Sequence, residues 1–261
     1  AAEQAAKALA IDRDLVLAQA VYQSATIGSH LAGIEAFEQA LHKQPDNPLL
    51  LQALIWNLTQ AGYFREALNL DQRWVDVDPL SLWANQGLVG SLRNVGRTSE
   101  ADAAAEVVNQ LSGSEGFWRK GQQSLQAGQD EQAIAYFEAS FQRRDKPDTR
   151  PVRDLITNAR DPETGQAYLD GLIPEFTRYT WYLKFGFIDR YFEFLLGSDP
   201  NDALWSDADL FLYEGMLLHD TGFTAHPKFL EVAETMGIIK IWEKRGPPDF
   251  CDKVGDQWVC E

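Results

Sequence analysis

Along most of the chain, apolar residues return every three or four positions, which is the period of a helix with one buried face. Ala5, Ala8 and Leu9 share such a face, so the sequence opens on a helix already under way. The spacing recurs in Ala36, Phe37, Ala40 and Leu41, in Ala133, Ile134 and Phe137, and in Leu204, Ala208, Phe211, Leu212 and Gly215. The pattern predicts an all-α protein.

The helices are punctuated at a regular step. Gly28, Gly62, Gly96 and Gly128 stand 34, 34 and 32 residues apart. Each is followed five residues later by a small residue: Gly33, Ala67, Ala101 and Ala133. Pro45 and Pro79 repeat with the same step. A glycine that takes positive φ ends one helix and turns the chain. The small residue lets the second helix of the hairpin cross the first closely. The prolines stop that second helix, having no N–H to offer. Four units follow, at about 14–47, 48–81, 82–115 and 114–147. They are degenerate, because Asp71 and Ala105 occupy positions in the second helix where a large residue is expected.

A helix–turn–helix of 34 residues with these features resembles the tetratricopeptide repeat. The resemblance implies a right-handed α–α superhelix of helical hairpins. The expected organisation is residues 1–147 as the tail of a preceding helix plus four repeats. Residues 148–261 then hold degenerate hairpins and a tail, continuous with the first part. Within that second part, Pro151 and Pro162 are expected to start short helices. Pro174 to Phe185 and Ile188 to Leu196 form a fifth hairpin about Gly186, and Asn201 to Asp220 another helix. Pro227 opens a helix through Met236, followed by Ile238 to Lys244 and an irregular end.

That end, with His226-Pro227-Lys228-Phe229, Met236-Gly237-Ile238, Trp242, Pro248-Asp249-Phe250-Cys251 and Cys260, resembles the close of repeat regions in bacterial membrane signalling proteins. Those proteins carry a winged-helix or adenylate-cyclase-like domain, then a membrane helix, then the repeats. The resemblance implies an extracytoplasmic sensing or interaction part. Residue 1 is not methionine and no charged or apolar leader follows it, so the chain reads as a segment of a longer protein.

Charge narrows the function classes. Lys plus Arg is 23 against 39 Asp plus Glu, for a formal charge of −16. Such a chain is repelled by phosphate backbones, so nucleic acid is not an expected partner. No apolar run is long enough to span a bilayer, so direct membrane insertion is not expected either. The two cysteines, Cys251 and Cys260, are nine residues apart. A disulfide between them closes a loop of about 10 residues, stabilises by about 2.7 kcal/mol, and staples the tail. It places the chain in an oxidising compartment such as the periplasm, whereas reduced thiols would place it in the cytoplasm.

Catalytic patterns are missing. There is no phosphate-cradling glycine loop and no nucleophile elbow. No histidine pair is spaced to ligate a metal from one helix face. No cofactor and no enzymatic activity are expected. The resemblance instead directs attention to the concave face, which the first helix of each hairpin lines. Counting along the repeats places Tyr22, Gln52, Trp56, Trp83, Gln86, Arg93, Asn94, Trp118 and Gln122 there. Aromatic rings anchor and amides read backbone groups, a composition suited to a protein or peptide partner. A change in curvature or homodimerisation would pass the signal on. Two other readings stay open. One is a scaffold for an envelope complex. The other is a small-molecule pocket walled by Phe176, Tyr179, Trp181, Tyr182, Phe185, Phe187, Tyr191, Phe192 and Phe194.

Overall fold

The computed structural model describes residues 1–27, 30–112, 114–142, 152–172, 181–197 and 222–260. Over these residues the chain is helical, with one two-stranded sheet near its end. The helices are α1 (Ala2–Ile11), α2 (Val16–Ile27), α3 (His30–Lys43), α4 (Pro48–Gln60), α5 (Phe64–Val77), α6 (Leu82–Asn94) and α7 (Thr98–Ser112). They continue as α8 (Ser114–Gln126), α9 (Asp130–Gln142), α10 (Val152–Ala159), α11 (Gly165–Leu172), α12 (Ile188–Gly197), α13 (Phe229–Thr235) and α14 (Ile238–Arg245). Strands β1 (Cys251–Val254) and β2 (Gln257–Cys260) follow.

The hairpin punctuation has a common geometry. Gly62, Gly96, Gly128 and Gly186 all take positive φ, between +71° and +85°. After each, the next residue's N–H donates to a carbonyl five residues back: Tyr63 to Leu58, Arg97 to Leu92, Gln129 to Ser124 and Phe187 to Tyr182. This is the closure of a helix by a left-handed residue. Gly28 lies outside the described residues. The small residues Ala67, Ala101 and Ala133 are fully buried at the start of the second helices. The starts of α4 and α6 repeat as well. Asn47 accepts from Leu49 and Leu50 N–H, and Ser81, one repeat later, accepts from Ala84 N–H.

The chain divides into two compact units, with α7 spanning the division. Of the described residues, the first unit holds 1–104 and 224–260, and the second holds 105–197 with 222 and 223. In the second unit, α8 and α9 pack so closely that a Cβ on Gly121 would meet the Phe137 ring at 2.7 Å. Phe137 joins Leu125, Ala133, Ile134, Val152 and Ile156 in a core against which Trp181 and Phe185 lie. Arg160 ties α10 to α8 and α9, donating to Asp130 and, at 2.6 Å, to the Leu125 carbonyl. Tyr182, Tyr191 and Phe192 are fully buried, which makes these rings core. Phe176 and Tyr179 lie outside the described residues, as do Pro151, Pro174 and 201–220.

In the first unit, consecutive helices pack in chain order from α1 to α6, and the tail folds back on the second hairpin. Tyr63, at the N-cap of α5, supplies no capping side chain. Asp249 does so from 184 residues away: its carboxylate accepts from Arg65 N–H at 2.7 Å and from the Arg65 guanidinium at 2.9 Å. The Asp249 N–H donates to Gly62 O at 3.1 Å, and the Trp242 indole donates to Ala61 O at 2.7 Å. The Tyr63 hydroxyl donates to Gly246 O, and burial pushes the phenol up to about 12 despite the neighbouring Arg245. Arg245 bridges Glu38 and Glu66, and Lys244 pairs with Glu35. Phe250 stacks on Phe64 and meets Phe229 and Trp242 edge-on.

Three expectations need correction. The end of the chain is not irregular: β1 and β2 pair antiparallel around Gly255-Asp256, with Gly255 at positive φ as a tight two-residue hairpin loop requires. Cys251 and Cys260 face each other in that register, their sulfurs at disulfide distance. Pro162 does not start a helix. It sits in a turn whose Glu163 and Thr164 N–H groups both donate to Asp161, and α11 begins at Gly165. Pro227 likewise precedes its helix, which begins at Phe229.

The docked tail sets apart two otherwise equivalent glycines. Gly62 and Gly96 share positive φ, but a Cβ on Gly62 would meet the Phe250 ring at 2.5 Å, whereas at Gly96 nothing lies within 4 Å. Gly96→Ala is expected to cost about 1 kcal/mol, the left-handed penalty alone. Gly62→Ala should cost at least about 1 kcal/mol more, read from urea midpoints. Reducing Cys251–Cys260 should lower stability by up to about 2.7 kcal/mol in the same assay.

Candidate functional site

The first helices of three successive hairpins, α2, α4 and α6, all in the first unit, share an unusual composition. In a chain that is 24% charged, the three together hold one charged residue, Arg93. Their partners α3, α5 and α7 carry the charge. A helix buried on every side could be neutral for that reason alone. Here the neutral helices keep large apolar side chains in solvent instead. Leu15, the residue just before α2, then Leu49 and Trp83, each one 34-residue step from the last, are 42%, 55% and 67% exposed. Tyr22 and Trp56, also one step apart, are both 42% exposed. Large apolar groups left outside at equivalent positions of successive repeats do not serve the core.

The residues expected to line this face separate into groups. Tyr22, Gln52, Trp56 and Trp83 are exposed. Arg93 is half-buried and lies 3.6 Å from Asp102 of α7. Gln86 and Asn94 are buried, each about 6% exposed, although Gln86 stands one step from the exposed Gln52. Gln122 lies half-buried on α8 in the second unit. Trp118 is on α8 too, and its side chain lies outside the described residues.

A second feature lies where α5 packs on α6. Asp71 has no exposed surface, and the Ser91 hydroxyl donates to its Oδ2. Gly87, one turn before Ser91, supplies the space: a Cβ there would stand 2.3 Å from Asp71 Oδ1. Among the described residues Oδ1 has no hydrogen-bond partner, and neither does the Trp74 indole one turn further along α5. Burial pushes the Asp71 carboxyl up from 3.8 to about 7, opposed by the Ser91 hydrogen bond. Sequence reading marked Asp71 as an intruder in a helix position meant for a large residue. It did not connect it with Gly87 and Ser91, whose spacing of four on the next helix was the available signal.

Among the described residues no group of His, Cys, Asp or Glu is arranged to hold a metal ion. No helix among them is long and apolar enough to cross a membrane. His219 and Asp220 lie outside the described residues, and His226 Nδ1 accepts from Lys228 N–H. No family model matches the chain, and no curated protein matches it.

Proposed function

We propose that this chain is a non-enzymatic binding module, and that the face formed by α2, α4 and α6 holds a protein or peptide partner. The observation that carries the reading is the row of exposed apolar side chains on helices almost without charge. Such a surface gains by covering Leu49, Trp56 and Trp83, and it offers almost nothing to compensate a buried charge on the partner. The partner segment is therefore apolar or aromatic and poor in charge where it touches this face. Hairpins stacked at a 34-residue step are read as turns of a right-handed tetratricopeptide superhelix, whose concave side this face would form.

The resemblance of the tail to bacterial membrane signalling proteins supports placing the module outside the cytoplasm, as the sensing part of a membrane regulator. The cysteine pair at disulfide distance is in keeping with an oxidising compartment. Of the fifth hairpin's rings, Tyr182, Tyr191 and Phe192 are buried, while Trp181, Phe185, Phe187 and Phe194 are half-buried.

A displayed library of random peptides, selected on the full chain, tests the reading. Enriched sequences are expected to be aromatic or aliphatic and to carry few charges. Trp56→Ala and Trp83→Ala should each weaken the selected peptides by roughly 30-fold, the scale of an anchor residue. Their helical circular dichroism and urea midpoints should match wild type to within about 1 kcal/mol. Peptides enriched in charge, or affinities untouched by both variants, would reject the reading.

A further inference from the structure

The buried carboxylate on α5 is used by nothing described above, and its surroundings are built for it. Gly87 leaves the space, Ser91 supplies one donor, and Oδ1 is left over. A carboxylate is stable out of water only when charge or several donors compensate it. Neither is present. Of the helices packed on α5, α4 has no titratable residue at all, and α6 has only Arg93, which is turned to Asp102 on α7. On α5 itself, Arg65 and Glu66 engage the tail through Asp249 and Arg245, Arg73 engages Asp46, and Asp76 is exposed. The neutral acid escapes the cost of a buried charge and leaves only one polar group unpaired, a smaller penalty.

We propose that Asp71 makes the α5–α6 joint a proton-operated latch, closed while the carboxyl is protonated and loosened when it ionises. The α5–α6 joint is what holds α6, with Trp83, in place against the α4–α5 hairpin, with Trp56. Opening it moves the two halves of the apolar row relative to each other. Only this last consequence rests on the binding reading. The latch itself is a statement about one helix pair.

The direction of the pH dependence follows from burial. The carboxyl is pushed up to about 7 in the folded chain, against 3.8 for the free group. Below about pH 4 both folded and unfolded chains hold the proton, and the joint is fully closed. From about pH 4 to 7 the unfolded chain ionises first, so stability declines as pH rises. Above about pH 7 the folded joint itself carries the buried charge, and the loss is complete.

Two measurements on the full chain decide the matter. Carbon-13 NMR of the side-chain carboxyls should show one aspartate, assigned through Asp71→Asn, titrating near 7. Hydrogen exchange, corrected for intrinsic rates, should show α5 and α6 amides losing protection at least tenfold between pH 5 and 8, while α2 and α3 amides hold theirs. In Asp71→Asn that pH dependence should vanish. Ser91→Ala removes the donor that favours the ionised form, so the midpoint should move up by roughly one unit, or tenfold in proton affinity. This variant keeps the test open if Asp71→Asn does not fold. An Asp71 that titrates near 4 overturns the latch. So does an α5–α6 exchange profile with the same pH dependence in Asp71→Asn, or a midpoint that Ser91→Ala leaves in place.

Discussion

Helix α5 begins without a capping residue of its own, and the carboxylate of Asp249 fills the vacancy. The unpaired N–H groups at a helix start favour a nearby anion, through hydrogen bonds and through the helix dipole. One side chain from the far end of the sequence thereby completes the second hairpin. The same residue's N–H engages Gly62 O, and the neighbouring Ala61 O takes the Trp242 indole. Around these polar contacts Phe250, Phe64, Phe229 and Trp242 exclude water, which strengthens each of them. The Arg245 bridge to Glu38 and Glu66 extends the hold to α3. Gly62 thus has two tasks where Gly96, Gly128 and Gly186 have one: it turns the chain, and its missing side chain admits Phe250.

What could be read from the sequence was what is local. A glycine at the end of an apolar helical run has a conformational reason to be there, and the reason holds at Gly62, Gly96, Gly128 and Gly186 alike. The hairpin at residues 251–260 gives a weak signal because its strands are only four residues each, and Gly255-Asp256 is the turn that marks it. The docking of the tail was out of reach. Nothing near Asp249 shows that its partner is the N–H of Arg65. For the candidate face, counting by repeats treats positions one step apart as equal. Gln52 and Gln86 are not equal in burial, because exposure depends on the neighbours on either side and these repeats are degenerate.

Charge is distributed between the helices by role. The second helices of the hairpins carry acids and bases of a chain whose formal charge is −16. The first helices leave it out and show Leu49, Trp56 and Trp83 to solvent. Asp71 is the exception, a charge-bearing residue of a second helix that faces inward and meets a first helix. A neutral surface and a buried acid are two sides of the same arrangement. With almost no charge on α4 and α6, the Ser91 hydroxyl is the one group among the described residues that favours the ionised form of Asp71.

The borrowed cap also bears on how the protein is made. Repeat proteins ordinarily fold from neighbour to neighbour, so each hairpin can settle as it leaves the ribosome. Here the second hairpin emerges some 180 residues before the aspartate that finishes it. Until translation reaches that aspartate, α5 waits with bare amide groups and an open apolar seat for Phe250. The first unit is then sealed by its last-made segment, a long loop closure that slows the final step and leaves the nascent chain in need of protection.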